Sequence, residues 1–317
     1  MKIFVLDAIN RMGVERLAGF PGTVLWDDPR IASWREHADG IILRGNTPVT
    51  AADMAAAPHL KAISKHGTGV DQIDLAAARA RGIAVMNTPS LNADAVSEMA
   101  IAMTLAVARQ VAFADRTLRA GTPLRREDID GSAAGTGGRS MDGKTVAVLG
   151  LGNIGRRVAE RWRLGFGATV LGYDPHLPEA AWSSLGCEWI ERLDDLWGRA
   201  DLVSIHVPLT AETRHLVGAR ELARMKPTAI LVNLARGGVV DEDALYEALA
   251  RQQIFGAALD VFEKEPPAGH RLFTLPNFVG TPHIGAGTID SREQTAVMVV
   301  AQLVDFLTGK PARNRVA

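Results

Sequence analysis

Short β-branched runs alternate with Ala- and Leu-rich stretches along most of this chain of 317 residues. This alternation is typical of parallel sheets whose strands are joined by covering helices. One series of predicted strands comprises 3–7, 40–44, 60–64 and 83–86, and a second series comprises 145–150, 169–174, 202–207, 230–234 and 255–260. Two serial α/β sheets predict two domains, in line with a prior of roughly 150 residues per domain.

The segments between and after the two series also carry predictions. A long Ala- and Met-rich helix is predicted over 92–109, and its apolar residues cover more than one side. We therefore expect it to be buried, in a contact between subunits. The Gly-, Arg- and Asp-rich segment 120–143 predicts an irregular surface connection, and a final helix is predicted over 290–307.

Composition excludes several classes of function. Lys and Arg number 35 against 36 Asp and Glu, so the net charge of −1 gives no reason to expect nucleic acid or an anionic membrane as partner. Cys187 is the single cysteine, which excludes intramolecular disulfides, thiolate zinc sites and iron–sulfur clusters. The apolar run 3–6 ends at Asp7, and no stretch reaches the roughly 18 apolar residues of a membrane helix. We expect a cytoplasmic protein without a metal site.

A glycine motif follows the first strand of the second series. Gly150, Gly152 and Gly155 stand in the spacing of a dinucleotide-binding turn, and residues with helical periodicity follow them. The first glycine permits a tight turn, the second lets the backbone approach a pyrophosphate, and the third lets helix and strand pack closely. Free N–H groups at the start of the helix would then bind the diphosphate. Three glycines alone are a weak signal, but this context strengthens it.

An acidic residue stands where such a site needs one. Asp174 ends the next predicted strand, about 20 residues after the last glycine, and a carboxylate there accepts hydrogen bonds from ribose hydroxyls. It is followed by Pro175 and His176 rather than by arginine, which favours NAD over NADP. The alternative interpretation is a turn residue at a strand end.

An arginine and a carboxylate follow the last two predicted strands of the second series, and an imidazole follows the next short apolar run, 278–280. Arg236, Glu265 and His283 would therefore lie at the carboxyl edge of the sheet, where open α/β sheets bind ligands. The imidazole can move a hydroxyl proton near neutral pH, the carboxylate can orient it, and the guanidinium can bind carboxylate and carbonyl oxygens. Taken singly, each could be a surface or core residue; His206 and His215 are interpreted as structural.

With these residues the chain resembles the NAD-dependent D-isomer-specific 2-hydroxyacid dehydrogenases. The matching segments are GLGNIG from Gly150, NLARGGVVDEDAL from Asn233, LDVFEKEP from Leu259, TPHIGA from Thr281 and KHGTGVDQIDL from Lys65. The resemblance implies hydride transfer between NAD and a D-2-hydroxy acid or 2-keto acid. It implies a Rossmann-type NAD-binding domain over 92–287 and a flavodoxin-like α/β substrate domain over 1–91 and 288–317. It also implies a homodimer formed through the NAD-binding domains.

The resemblance also assigns residues to roles. His283 would be the acid/base, Glu265 its partner, and Arg236 the group that binds and polarises the substrate. Thr68 and Gly69 would offer backbone N–H groups to the substrate carboxylate. The implied cofactor contacts are Gly150, Gly152, Asn153, Ile154, Gly155, Asp174, Val207, Pro208, Thr213, Leu234, Ala235, Asp260, Gly285 and Ala286.

Two alternatives to a general dehydrogenase stay open. Family-like corepressors share this fold, so a non-catalytic NAD-binding scaffold is one, and a glyoxylate/hydroxypyruvate reductase is the other. Glu265 disfavours a formate dehydrogenase, which is expected to carry glutamine there. The chain departs from the family where a tryptophan is usual before Gly143; the segment 122–127 has none.

Two cations of the first series bear on the substrate. Arg44 and Lys65 end neighbouring predicted strands, and two cations there suit a second anionic group on the substrate. Phosphoglycerate dehydrogenases carry basic residues at similar positions, so 3-phosphohydroxypyruvate or another dianionic 2-keto acid is the expected substrate. The alternative is that both cations are solvated surface charges.

Overall fold

The computed structural model describes residues 1–45, 47–129, 137–182 and 184–317. They form two compact units. Unit 1 comprises Met1–Asn92 and Ala286–Ala317, and unit 2 comprises Ala93–Gly285. The sequence analysis divides the chain at 91/92 and 287/288; its assignment of one part to substrate and the other to NAD is a functional proposal taken up below.

Each unit is built from short strands and helices in alternation. The strands of unit 1 are β1 (Ile3–Val5), β2 (Thr23–Val24), β3 (Gly40–Leu43), β4 (Ala62–Lys65) and β5 (Ala84–Met86), and its helices are α1 (Arg11–Leu17), α2 (Trp34–His37), α3 (Ala51–Ala55), α4 (Leu75–Ala80) and α12 (Ile289–Leu307). The strands of unit 2 are β6 (Thr145–Leu149), β7 (Thr169–Tyr173), β8 (Glu188–Trp189), β9 (Leu202–Ile205), β10 (Ile230–Asn233), β11 (Gly256–Leu259) and β12 (Phe278–Gly280). Its helices are α5 (Ala93–Ala108), α6 (Val111–Arg119), α7 (Arg126–Ile129), α8 (Asn153–Phe166), α9 (Glu179–Trp182), α10 (Ala219–Leu222) and α11 (Glu242–Ala250).

The sheet of unit 1 has the strand order β2-β1-β3-β4-β5, and all its pairs are parallel. This is the flavodoxin-like 2-1-3-4-5 order, which confirms the predicted class of this unit. Strands β1, β3, β4 and β5 are buried along their whole length, because helices cover both faces of a parallel sheet.

Helix α12 runs antiparallel to the strands of unit 1. Near its end, Leu303 and Leu307 lie against Gly40 at the start of β3. About one turn before Leu303, the carbonyl of Val299 accepts a hydrogen bond from the hydroxyl of Ser64 in β4 at 2.8 Å. The first turn of α12 therefore lies at the carboxyl ends of β3 and β4.

The sheet of unit 2 has the order β12-β11-β10-β9-β6-β7-β8, again with parallel pairs throughout. Counted within the unit, this is the Rossmann order 3-2-1-4-5-6 with a seventh strand added beside the sixth. The strand order reverses between β6 and β9, and ligands bind at the carboxyl edge beside such a switch point. The predicted Rossmann-type class is confirmed.

The long predicted helix exists, but unit 2 itself accounts for its burial. The α5 residues Val107 and Met103 contact β11 and Thr281, and Ser97 bonds to Arg161 of α8. Unit 2 thus buries one side of α5, while Met99, Ile101 and Leu105 are only partly buried, and the predicted contact between subunits stays a prediction. Within the described residues, no single helix is long and apolar enough to cross a membrane; only α5 and α6 taken together reach that length and composition, as a pair bent by 66°.

Several short elements differ from the sequence predictions. Strands β2 and β8, of two residues each, and helix α6 were not predicted, because two residues carry no periodicity and α6 follows α5 after only two residues. In the predicted irregular connection 120–143, the structure has the short helix α7. Residues 130–136 of that connection lie outside the described residues.

Candidate active site

The glycine turn of unit 2, Gly150–Gly155, joins β6 to α8 as the motif predicts. Gly150 has φ +86°, a left-handed conformation that favours glycine, and its N–H donates to the carbonyl of Tyr173 at 2.8 Å. A Cβ at Gly155 would clash with the carbonyl of Gly150, so only glycine allows helix and turn to pack this closely. Gly152 caps α8 without a side chain, so the first N–H groups, at Asn153 and Ile154, have no intrahelical acceptor.

Asp174 lies directly beside this turn. Its Oδ2 accepts a hydrogen bond from the N–H of Leu151 at 2.9 Å, and its Oδ1 accepts one from the N–H of His176 at 3.0 Å. These two bonds fix the carboxylate at the end of β7, while its partial exposure leaves lone pairs for further donors.

The other predicted cofactor residues lie on loops that follow neighbouring strands. After β9, Val207 and Pro208 lead into a turn in which the Thr213 hydroxyl donates to the carbonyl of Pro208 at 2.6 Å. After β10, Leu234 is buried, and the N–H of Ala235 donates to Asn233 Oδ1 at 2.9 Å. Both loops lie at the carboxyl edge, next to the switch point between β6 and β9.

The residues at this edge fit a dinucleotide. The glycine turn has the backbone conformation that a pyrophosphate site requires, α8 offers free N–H groups, and Asp174 offers acceptors for ribose. His206 adds an unpaired group: its Nε2 lies 2.8 Å from the hydroxyl of Ser204, but its buried Nδ1 has no partner among the described residues. Burial lowers the pKa of His206 to about 3, so this imidazole is neutral at physiological pH.

Arg236, Glu265 and His283 come together at the ends of the adjacent strands β10, β11 and β12. His283 Nδ1 lies 3.0 Å from Glu265 Oε2, within hydrogen-bonding distance. The guanidinium of Arg236 is close enough to shift the pKa of both Glu265 and His283 downward. Sequence reasoning predicts these three residues, and the structure places them in one constellation.

The two members of the acid/base pair shift each other's titration in opposite directions. The hydrogen bond with Glu265 raises the pKa of His283 above its ordinary value, and this outweighs burial, which alone would lower it. Burial would raise the pKa of Glu265, but the hydrogen bond from His283, its charge, the N–H of Phe262 and Arg236 together lower that pKa. The pair therefore favours imidazolium beside carboxylate.

Asp260 organises the segment that carries His283. Its Oδ1 accepts hydrogen bonds from the Thr281 hydroxyl at 2.6 Å and the Ile284 N–H at 2.8 Å, and its Oδ2 accepts one from the Gly285 N–H at 2.8 Å. Its carbonyl also accepts from the N–H of His283 at 2.8 Å. The family resemblance assigns Asp260 to cofactor binding. In the structure its carboxylate also fixes the backbone of residues 281–285.

In unit 1, residues 66–69 form a loop after β4. The N–H of Gly67 donates to the Thr88 hydroxyl at 2.7 Å, and Asn87 Nδ2 donates to the carbonyl of Thr68 at 2.8 Å. Among the described residues, the N–H groups of Thr68 and Gly69 have no acceptor. The loop is thus fixed while two adjacent donors stay available.

A basic cluster of Arg44, Lys65 and Arg292 surrounds His66 in the same unit. Arg44 and Arg292 are exposed, and neither guanidinium forms an ion pair with a described residue. The ring of His66 hydrogen-bonds with the backbone of Arg292; burial first, then Arg44 and Lys65, lower the pKa of His66 to about 4.

Lys65 is a buried member of this cluster. It is only 6% exposed, so the alternative that it is a solvated surface charge is wrong. Its ammonium donates to the carbonyls of Arg44 and His66, which stabilises the chain around the basic cluster. Asp7, two residues after β1, does the same by accepting from the N–H groups of Arg44 and Gly45 at 2.7 and 3.1 Å.

Sequence reasoning missed three residues that the structure brings to these sites. Arg292 lies more than 200 positions from Arg44, and no pattern links them. Glu242 Oε2 and His270 Nε2 lie 2.9 Å apart beside the segment that carries Glu265. The only signal for Glu242 is its place in the motif NLARGGVVDEDAL, where it reads as an ordinary first-turn acid of a helix.

Comparison with known proteins agrees with this geometry. Residues 101–285 match the family model described as D-isomer specific 2-hydroxyacid dehydrogenase, NAD binding domain. A D-3-phosphoglycerate dehydrogenase of Methanocaldococcus jannaschii is 42% identical over 88% of this chain. A glyoxylate reductase of Thermococcus litoralis is 37% identical over 99% of this chain and 96% of its own length.

A solved structure of an NADPH-dependent glyoxylate/hydroxypyruvate reductase from Sinorhizobium meliloti, in complex with citrate, aligns with a TM-score of 0.84. It is 30% identical and covers 100% of this chain and 97% of that one. The present chain spans about half the length of the D-3-phosphoglycerate dehydrogenases it matches, 52% and 56% of theirs. With its family model, its relatives and its glycine turn in agreement, this chain belongs to the D-isomer-specific 2-hydroxyacid dehydrogenases.

Proposed function

We propose that the chain is an NAD-dependent oxidoreductase that interconverts D-2-hydroxy acids and 2-keto acids. The observation that carries this proposal is the pair of His283 Nδ1 and Glu265 Oε2 at 3.0 Å, with Arg236 close to both. These residues lie on the sheet that also carries the glycine turn and Asp174. A proton donor and a dinucleotide site on one sheet edge suit hydride chemistry at a carbonyl carbon.

In the proposed reaction each residue has one task. NAD, when bound at the glycine turn, supplies or accepts the hydride. Glu265 holds Nδ1 of His283, so the second ring nitrogen, Nε2, is left to exchange a proton with the substrate oxygen. In reduction, that proton goes to the carbonyl oxygen and His283 becomes neutral; in oxidation it returns. Arg236 binds the same carbonyl and the substrate carboxylate, with two donors in a planar fork.

We further propose that unit 1 binds the anionic groups of the substrate. The free N–H groups of Thr68 and Gly69 would bind the carboxylate next to the reacting carbon, as backbone N–H pairs bind anions elsewhere. Arg44 would bind a second anionic group. Its nearness to Arg292 supports this, because the two guanidinium groups repel each other and an anion beside them would relieve that repulsion, to which Asp7 is the acidic counterweight on Arg44. Lys65 would act here by holding the backbone of Arg44.

The substrate we propose is 3-phosphohydroxypyruvate or another dianionic 2-keto acid. One observation favours the alternative of a glyoxylate or hydroxypyruvate reductase: the relative from Thermococcus litoralis matches this chain over 96% of its own length. The two proposals differ in the charge of the substrate, so relative efficiencies for mono- and dianionic acids separate them.

We propose NAD, rather than NADP, as the cofactor. Asp174 beside the glycine turn supports this choice, since a fixed carboxylate accepts from ribose hydroxyls and repels a 2′-phosphate. Ala286, which follows Gly285, would complete the cofactor contacts together with the loops after β9 and β10.

We also propose a homodimer located in the cytoplasm. Two large apolar side chains on α6 support association through unit 2, with Val111 57% and Leu118 58% exposed. The single Cys187 supports a reducing compartment, because the chain has no intramolecular disulfide to form.

The test is a panel of 2-keto acids assayed by oxidation of NADH: 3-phosphohydroxypyruvate, hydroxypyruvate, glyoxylate and pyruvate. His283→Ala and Arg236→Ala should lower kcat by roughly 10²–10⁴-fold while NADH binding, measured by fluorescence, stays close to wild type. His59→Ala, at an exposed histidine of unit 1, is the matched control and should leave turnover unchanged. NADH binding without turnover of any acid would instead favour the non-catalytic scaffold.

A further inference from the structure

The backbone at Phe262 and Glu263 lies between the segments that carry the proposed catalytic residues. The N–H of Phe262 donates to Glu265 Oε1 at 3.2 Å, on the carboxyl group whose other oxygen meets His283. The carbonyl of Phe262 packs directly on Gly237, the residue after Arg236, so closely that any Cβ there would clash. A displacement of this backbone would therefore move both Arg236 and Glu265.

Glu242 holds this backbone from outside the constellation. Its Oε1 accepts a hydrogen bond from the N–H of Glu263 at 2.7 Å, and its Oε2 lies 2.9 Å from Nε2 of His270. His270 Nδ1 accepts from the N–H of Leu272 at 3.3 Å, so the ring proton is on Nε2 and is donated to Glu242. Both carboxylate oxygens thus have a donor.

The helix to which Glu242 belongs does not need this buried carboxylate. Asp241 already caps α11, with Oδ1 accepting from the N–H groups of Asp243 and Ala244. Asp243 also provides an acidic side chain in the first turn, and it is exposed. Glu242, by contrast, is 9% exposed, and burial raises its pKa although Glu263 and His270 donate to it. A carboxylate buried at that cost is explained by the backbone that it holds.

We propose that Glu242, supported by His270, is a positioning residue that holds the Phe262–Glu263 backbone so that Glu265 meets His283 and Arg236 stays beside them. This inference rests on the proposed function for its catalytic consequence, but the geometry it concerns exists without substrate. Glu263 adds a second attachment of the same segment, because its side chain lies 2.9 Å from Nε2 of His215.

Glu242→Gln tests the proposal with the least change of shape. The Glu263 N–H and His270 Nε2 meet different oxygens of Glu242, and in the amide one of those two positions is an NH2 donor, so one of the two bonds is lost. We expect kcat to fall by about 10- to 100-fold with KM for NADH within twofold of wild type, since misplacement of a catalytic group costs up to about 10² in rate. The pKa of His283, followed by NMR of its imidazole, should fall towards the ordinary histidine value as Glu265 moves away.

Glu247→Gln is the matched control, because Glu247 is an exposed glutamate on the same helix and its ion pairs with described residues are those with Arg251 and Arg271. It should change neither kcat nor the pKa of His283. If Glu242→Gln does not fold, His270→Asn replaces it: asparagine can keep the bond to the Leu272 N–H but is too short to reach Glu242. In His270→Asn we expect kcat to fall by about two- to tenfold and the pKa of His283 to fall as well.

Unchanged kcat and an unchanged His283 pKa in the Glu242 variant, even with a lowered melting temperature, would show a role in folding alone and overturn the proposal. Failure of the proposed function has a different signature, because the wild type would then turn over no 2-keto acid. The NMR measurement still decides about Glu242 in that case.

Discussion

His283 adopts a conformation that its side chain disfavours. Its φ of 54° is left-handed, which costs a non-glycine residue about 1–3 kcal/mol. Its N–H donates to the carbonyls of Asp260 and Thr281 at 2.8 and 3.0 Å, and Nδ1 bonds to Glu265. These bonds offset the strain, and the result is an imidazole whose orientation is set before substrate arrives.

The raised pKa of His283 beside Glu265 predicts opposite pH profiles for reduction of the keto acid and oxidation of the hydroxy acid. Reduction needs protonated His283, so kcat/KM for a 2-keto acid should be flat at low pH and fall as pH rises through the raised pKa of His283. Oxidation needs the neutral imidazole and should rise over the same range. Glu265→Gln removes the group that raises this pKa, so kcat/KM for reduction should begin to fall at a lower pH in the variant than in the wild type. Superimposable limbs for variant and wild type would contradict the assignment of Glu265.

Asp174 predicts the choice between the two nicotinamide dinucleotides. The wild type should use NADH with a higher kcat/KM than NADPH, and Asp174→Ala should lower that ratio by roughly tenfold or more as the repulsion of the 2′-phosphate is lost. Steady-state kinetics with both cofactors measures this ratio. Equal use of NADH and NADPH by the wild type would disprove the interpretation of Asp174.

At the scale of elements, the direction of α12 decides the composition of the basic cluster. Strands β3 and β4 pair in register with Leu43 opposite Lys65, so Arg44 and His66 follow side by side. The antiparallel α12 then brings Arg292, in its first turn, to the same strand ends. One cation at a strand end is an ordinary surface feature, whereas two on different elements, neither in an ion pair with a described residue, suit an anion.

This arrangement predicts selectivity for substrate charge. Arg44→Ala and Arg292→Ala should each raise KM for a dianionic 2-keto acid by about ten- to a hundredfold and hardly change KM for glyoxylate, because a charged hydrogen bond contributes about 1.5–3 kcal/mol. Arg313→Ala, at an exposed arginine paired with Asp305 in the same unit, is the control. Equal losses for both substrates, or none, would rule the mechanism out.

At the scale of the whole molecule, the open question is association. We expect a particle of about twice the chain mass of 33.9 kDa in sedimentation or light scattering. Replacement of Val111 and Leu118 by aspartate should convert it to the monomer, since two exposed apolar side chains of α6 then become charged. Met12→Asp, at an exposed residue of unit 1, should leave the mass unchanged. A wild type that sediments as a monomer would refute the homodimer.

Local pattern was sufficient to predict the longer strands of both sheets and to propose the reacting groups. Strands buried on both faces appear as apolar runs, as β6, β9 and β10 do. The glycine turn and Asp174 obey spacings imposed by one strand, one turn and one helix. His283, Glu265 and Arg236 follow strand ends, so a parallel sheet brings them together however long the connections are.

Contacts between distant elements were decided by the tertiary structure alone. Glu242 holds the N–H of Glu263 from 21 positions away, and whether a first-turn glutamate is buried depends on which loop packs against its helix. Lys65 has the charge of a ligand, yet its ammonium is turned onto two backbone carbonyls. Arg292 reaches the ends of β3 and β4 because α12 runs antiparallel to them. Sequence periodicity indicates which face of an element is buried, whereas the element that packs against that face depends on the tertiary structure.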